Sequence, residues 1–301
     1  MTDVVVLGGL NTDYLVRGPR LPRPGETVRG WASTAGPGGK GANQAVAAAR
    51  LDASVRMIGR VGADERGRAL IAALVAEGID VAAVEVDPDA DTGVALVGVA
   101  EDGTKQILTA PGANYTLAIP DAAGALGAAR VLLVQLEVPL DTVFAAVRRA
   151  RATGMLVVLD ASPPMRLPEA LVAEVDVLRA NASEAHVLTG VPVHDRASAA
   201  AAAQVLLHRG AGAAIVGAPG GDLLLEAAGE TWLPQIAVAS VDATGAGDGF
   251  AGALAAELAA GRPIGAAVTF ANAAAALATT VVGAQAALPF RSDVLTLLEP
   301  A

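Results

Sequence analysis

Cysteine is absent from the 301-residue chain, so disulfides, thiol nucleophiles and thiolate-held zinc are all excluded. Histidine is nearly absent too. His186, His194 and His208 stand far apart, without the spacing to share a metal ion, and are expected at the surface or at helix ends. Aromatic residues make up 3% of a chain that is 53% hydrophobic, so its core has to be built from Ala, Val and Leu. No apolar run reaches the roughly 18 charge-free residues of a membrane helix, and the N-terminus lacks the basic region that opens a secretory signal. A soluble, unexported, cytoplasmic protein is expected. Basic residues are the scarcer charge, 21 against 31 acidic ones, and the resulting −10 argues against a nucleic-acid surface.

What the chain has in quantity is short apolar runs alternating with small-residue helical patterns. Residues 4–7, 54–61, 80–86, 131–137, 155–159, 175–178 and 213–216 read as strands, and 42–51, 67–77, 197–208, 251–260 and 263–280 as helices. This is the alternation of a parallel sheet covered by helices. Two pieces stand apart: 15–36, broken by Pro19, Pro22 and Pro24-Gly25 before an extended 27–34, and the β-rich 92–109. Together they predict a small separate sheet, a natural lid.

The segment Val241-Asp242-Ala243-Thr244-Gly245-Ala246-Gly247-Asp248-Gly249-Phe250 leads straight into a helical pattern. Small residues let a backbone approach an anion. The free N–H groups of a helix starting near Ala246 would meet that anion with the positive end of the dipole. Carboxylates there would repel it and so must serve some other purpose. Asp248 could accept the proton of an attacking hydroxyl in phosphoryl transfer. Taken alone, the segment also reads as an ordinary capped helix start.

A second segment, Gly36-Pro37-Gly38-Gly39-Lys40-Gly41-Ala42-Asn43-Gln44, fits G-x-G-x-x-G formally, but no strand pattern leads directly into it and Pro37 interrupts it. It is not a P-loop either, because Gly41 follows Lys40 where Ser or Thr is required. What remains is a glycine turn setting Lys40 and Asn43 at the start of a helix, where they could bind several hydroxyls. Asn11 and Asp13 follow the first strand and Glu137 ends another, on the side of an open sheet where ligands bind. Each also has a plain reading as a turn or helix start. The spacing Asn181-x-x-Glu184 is likewise that of a capping pair.

DATGAGD followed by Phe250 closely resembles the C-terminal signature of the ribokinase-like carbohydrate kinases, and GGKGANQAVAAARL resembles that family's sugar-binding segment of the ribokinase type. The resemblance runs through essentially the whole chain. It implies an α/β ribokinase-like sandwich, a central mostly parallel sheet flanked by helices, with a small β-sheet lid. A single kinase domain would span 1–301, with lid strands from about 12–36 and 91–111 inserted in it and a homodimer formed through the lid. The implied reaction is ATP-dependent phosphorylation of D-ribose at its 5-hydroxyl, with Mg²⁺.

Carried over residue by residue, the resemblance makes Asp248 the base and Gly245, Ala246 and Gly247 the anion hole. Asn11, Asp13, Gly39, Lys40, Asn43 and Glu137 become sugar ligands, together with Asp248 itself. Asn181, Gly217, Gly220 and Asn272 join Gly245 and Gly247 on the ATP side, with Glu184 near Mg²⁺ through water. Asp242, Thr244, Gly283 and Ala287 surround a monovalent cation such as K⁺, mostly through backbone. The chain departs from the family pattern at Ile215 and Pro219, where Thr and Arg are usual, and at Ala286 and Ala287, which replace Pro and Ser. Other acceptors (2-deoxyribose, another pentose, a nucleoside) and a sugar-binding protein weakened in catalysis remain open alternatives.

Overall fold

Strand β1 (Val4–Leu7) is buried on both faces and sorts its side chains by the two-residue period of a strand. Val4 and Val6 enter one hydrophobic cluster, Val5 and Leu7 another. The structure, a computed structural model, describes residues 2–119 and 124–299; residues 1, 120–123, 300 and 301 of the expected 1–301 domain lie outside that description. After β1 come β2 (Asn11–Arg17), β3 (Ala32–Gly38), α1 (Lys40–Arg50), β4 (Val55–Gly62), α2 (Glu65–Ala76), β5 (Asp80–Asp87), β6 (Gly93–Val99) and β7 (Lys105–Ala110). Then follow β8 (Val131–Val134), α3 (Leu140–Ala152), β9 (Leu156–Asp160), α4 (Glu169–Val172), β10 (Val177–Ala180), α5 (Ala182–Thr189), α6 (Arg196–His208) and β11 (Ala213–Ala218). The chain closes with β12 (Gly221–Glu226), β13 (Gly229–Pro234), α7 (Ala246–Ala259), α8 (Ile264–Ala278) and α9 (Arg291–Leu298).

Among the described residues nine strands form one sheet in the order β13-β12-β11-β10-β9-β8-β1-β4-β5, parallel from β5 to β11 and antiparallel at β12 and β13. Helices α1, α2, α7, α8 and α9 pack with Val4 and Val6, and α3 to α6 with Val5 and Leu7. This is the α/β sandwich that the alternation predicts. Strand β4, the next strand of this sheet in sequence, pairs on one side of β1, and β8 pairs on the other, so the strand order switches direction at β1. Ligands of open sheets bind at the carboxyl ends beside such a switch.

A second sheet runs β3-β2-β6-β7. Two of its strands differ from the local reading. Asn11 and Asp13 lie within β2 and not in a turn, because β3 (antiparallel) and β6 (parallel) supply backbone partners that the local sequence does not announce. Similarly β3 runs directly into α1 through Gly39, although Gly36, Pro37 and Gly38 carry no strand pattern. No helix among the described residues is long and apolar enough to cross a membrane.

Helix α7 lies against α1 along small residues. A Cβ on Gly252 would stand 2.5 Å from Ala47 Cβ and 2.7 Å from the Gln44 carbonyl oxygen. Gly252→Ala should therefore cost about 1–3 kcal/mol by overpacking, more than the roughly 1 kcal/mol that alanine gains in helix propensity. Urea unfolding measures this; an unchanged or raised midpoint would show that the contact is not close.

Candidate active site

A cavity of about 580 Å³ opens between one face of the second sheet and the carboxyl ends of β1 and β8. Asn11, Asp13, Gly39, Lys40, Asn43, Glu137, Thr244, Gly245 and Asp248 all line it. Asp248 sits in the first turn of α7, nearly buried. Its Oδ2 accepts from Asn43 Nδ2 at 2.9 Å and its Oδ1 from Gln44 Nε2 at 3.1 Å. Gln44 Nε2 also donates to Asp160 Oδ2 at 2.9 Å, while its own Oε1 accepts from Gln135 Nε2 at 2.8 Å. One amide thus spans two buried carboxylates. Asp160 Oδ1 is paired in turn with Arg179 Nη1 at 2.9 Å.

Arg179 lies over the Phe250 ring, 5.3 Å from its centroid, and so close beneath Gly247 that a Cβ there would stand 2.9 Å from Nη1. Gly245, the residue that opens α7, has φ of +80°, and no side chain caps the helix. Only glycine adopts that conformation without strain. The Ala246 N–H donates to Ala243 O at 3.3 Å.

On the cavity's other wall, Asn114 fixes Asn11: Asn114 Nδ2 donates to Asn11 Oδ1 at 2.8 Å and Asn114 Oδ1 accepts from the Leu10 N–H at 2.8 Å. Glu137 Oε2 accepts from the Lys40 N–H at 2.7 Å. Asn43 Oδ1 is buried without a partner, an acceptor suited to a ligand hydroxyl. Burial, and then the neighbouring Asp248, lift Asp13 from 3.8 to about 6 against the pull of Lys40. Burial lifts Glu137 from 4.5 to about 7. Asp248 is raised by burial too, with Lys40 and the Asn43 amide working the other way. Burial lowers the Lys40 ammonium, but Asp248, Asp160, Glu137 and Glu184 outweigh it and leave it raised.

A family model described as pfkB family carbohydrate kinase matches residues 1–291. The chain belongs to the pfkB family of carbohydrate kinases. Among its pfkB relatives, a ribokinase of Haemophilus influenzae is 35% identical over 302 residues, covering 99% of each chain. A deoxyribokinase of Salmonella typhi is 35% identical over 292 residues, covering 95% of each. The structure of Arabidopsis thaliana ribokinase complexed with ribose and ATP superposes with a TM-score of 0.89 at 30% identity, over 100% of both chains.

In this pfkB chain Gly245 alone of the residues expected on the ATP side joins the cavity lining, while Asn181, Gly217, Gly220, Gly247 and Asn272 stand outside it. Asn181 and Glu184 form a complete capping box: Asn181 Oδ1 accepts from the Ser183 and Glu184 N–H groups, and Glu184 Oε2 accepts from the Asn181 N–H at 2.7 Å. Gly217 adjoins them, 3.6 Å from Asn181 Cα by its would-be Cβ, with Asp222 beside it. Gly220 forms the β11–β12 turn at φ of +88°, and Asn272 on α8 donates to Pro234 O at 3.0 Å. Burial raises Glu184, as does Asp160. Among the described residues no cluster of three or more His, Asp or Glu could hold a metal.

Among the expected monovalent-cation residues, Asp242 has no place left on its carboxylate for such an ion. Asp242 Oδ1 accepts from Lys105 Nζ at 2.7 Å, from the Thr244 N–H at 3.0 Å and from Thr244 Oγ1 at 2.6 Å. Its Oδ2 accepts from the Gly283 N–H at 3.1 Å and Arg17 Nη2 at 3.4 Å. A carboxylate offers about four lone pairs, and here five donors, two of them on cations, already claim them. Ala287 is buried, its N–H donating to Ala284 O at 3.2 Å. Burial would raise Asp242, yet Lys105, Thr244 and Gly283 hold it well below the usual carboxylate range.

Sequence reasoning missed Gln44, Asp160, Arg179, Asn114, Arg17 and Lys105. Gln44 follows Asn43 inside the motif, and Asp160 ends a strand as Glu137 does, so both carried a signal. Lys105 and Arg17 carried none.

The raised carboxyls give a signed pH dependence. A carboxyl whose folded pKa exceeds its unfolded value stabilises fully below the unfolded pKa and loses that contribution as pH rises through the folded one. For Asp13 and Glu137 the loss runs from about pH 4 to 7. The ligand-free Tm should fall by a few degrees as pH rises across this window, and Glu137→Gln should flatten the slope. Equal slopes for wild type and variant would refute the buried-carboxyl account.

Proposed function

We propose that this kinase transfers the γ-phosphoryl group of ATP to the 5-hydroxyl of D-ribose. The hydroxyl oxygen bonds to phosphorus as the bond from phosphorus to the β,γ-bridging oxygen breaks; the proton passes to Asp248 and ADP leaves. One observation carries the reading: Asp248, at the start of the uncapped α7, shares a cavity with the unpartnered Asn43 Oδ1 and with Asn11, Asp13, Lys40 and Glu137. A raised pKa makes Asp248 a stronger base than an exposed aspartate. The N–H groups at Gly245 and Gly247, with Arg179 beneath, would face the developing phosphate charge, whereas the Ala246 N–H, expected in the same hole, is held by Ala243 O. Asn181, Gly217, Gly220 and Asn272 would take the nucleotide. Glu184 would hold a water of Mg²⁺, which neutralises charge on the β- and γ-phosphates.

The second sheet would act as a lid that excludes water, a competing acceptor. We assign it a further role in a homodimer: its face away from the cavity carries exposed Tyr14, Val16, Leu96 and Leu108, a run of apolar surface that a second copy would cover. Sedimentation of Leu108→Glu should then give half the wild-type mass; the same mass for both would refute the dimer.

The decisive assay is ADP release with Mg-ATP and D-ribose, run beside 2-deoxyribose and adenosine. Asp248→Asn should lower kcat by about 10²–10⁴-fold with sugar affinity nearly kept. Asn43→Ala should raise the sugar KM and also lower kcat, since Asn43 holds Asp248. Full turnover by Asp248→Asn would remove the base, and faster release with 2-deoxyribose would move the substrate to the deoxy sugar.

A further inference from the structure

We propose that Lys105 is a built-in cation of this enzyme: its ammonium, with Arg17 beside it, does for the 241–245 loop what a bound monovalent ion would otherwise do, and ties that loop to the seating of the second sheet. The inference takes its activity readout from the kinase reading above, but stands on geometry of its own.

Register brings the two cations together. Arg17 pairs with Val99 and Val99 with Lys105, so all three stand in one row across β2, β6 and β7. Alternation puts that row on the face that also carries Asp13, Ala95 and Thr109, which line the cavity. From the two flanking strands, Lys105 and Arg17 converge on Asp242, whose side chain is 3% exposed. Lys105 Nζ also donates to Thr244 Oγ1.

Asp242 organises the loop that leads into α7. Its Oδ1 holds the Thr244 N–H one residue before Gly245, and its Oδ2 holds Gly283, whose neighbour Ala284 packs on Gly245. A buried negative charge here is costly in itself and repels any anion approaching Gly245 to Gly247. The loop therefore needs a positive charge against Asp242. In this chain it comes covalently, from β7, and only when the sheet is seated. Consequently a free ion has neither the lone pairs nor the charge deficit that would draw it in.

The test compares K⁺ with tetramethylammonium at equal ionic strength, reading ligand-free Tm and ribose-dependent ADP release for wild type, Lys105→Ala, Lys105→Gln and Lys105→Arg. Wild type should give the same Tm and rate in both salts. Lys105→Ala and Lys105→Gln should lose several degrees and about tenfold or more in rate in tetramethylammonium, and recover a substantial part of both in K⁺, which now finds an unneutralised carboxylate. Lys105→Arg keeps the charge and should stay indifferent to K⁺. A wild type stimulated severalfold or stabilised by K⁺ would overturn the proposal, as would neutral variants that ignore K⁺. Should Lys105→Ala fail to fold, Lys105→Gln, which keeps a donor on a long side chain, decides. Should wild type release no ADP with any sugar, the ribose kinase reading falls while the Tm arms still decide the cation.

Discussion

Everything at this site depends on keeping Asp248 dry and yet ionisable. A carboxylate in a closed cavity is penalised by lost hydration and compensated only by donors held in place. Asn43 and Gln44 are those donors, and both sit on α1, while Asp248 opens α7. The two helices must approach closely for the amides to reach. The alanines and glycines that look like compositional bias in the sequence are what allows the approach, with Gly252 against Ala47 as the tightest point. Composition, helix packing and the ionisation of Asp248 are here one constraint seen at three scales.

The same economy governs the second carboxylate. Gln44 divides one amide between Asp160 and Asp248, and Asp160 is balanced by Arg179. Burial alone would weaken the Arg179 guanidinium as a cation, but Asp160, Glu184 and Asp222 outweigh it and its pKa is raised. Its charge reaches Gly247 from below without obstructing the cavity, so positive potential is supplied at the start of α7 from a group fixed in the fold.

Much of this was legible in the sequence. The sandwich follows from strand and helix periods that local residues impose, and Glu137, just past β8, is placed by those same periods, whereas Asn11 and Asp13 owe their place to the pairing of β2 with β3 and β6. The cavity-lining set converges because Lys40 and Asn43 open α1, Glu137 follows β8, and Asn11 and Asp13 face inward from β2. Harder to read was whatever depends on pairing between distant segments. Residues 36–38 become a strand only because β2 lies beside them, and Lys105 meets Asp242 across 137 residues of chain. Asn181 and Glu184 were legible twice over, since a capping box and a nucleotide-side pair call for the same spacing, and the box at least is complete.

The alternation of the second sheet carries a consequence of its own. In β2 the odd positions Asn11, Asp13, Leu15 and Arg17 face inward, while Tyr14 and Val16 face out. The strand is a two-track tape, with the polar wall of the cavity written on one track and an apolar surface on the other. Point substitutions can edit either track alone. A single inserted or deleted residue swaps them, turning the cavity wall greasy and the outer wall charged in the same step. A change of letter therefore touches one track at a time, whereas a change of length exchanges both, a frame constraint of the kind more familiar from codons than from protein surfaces.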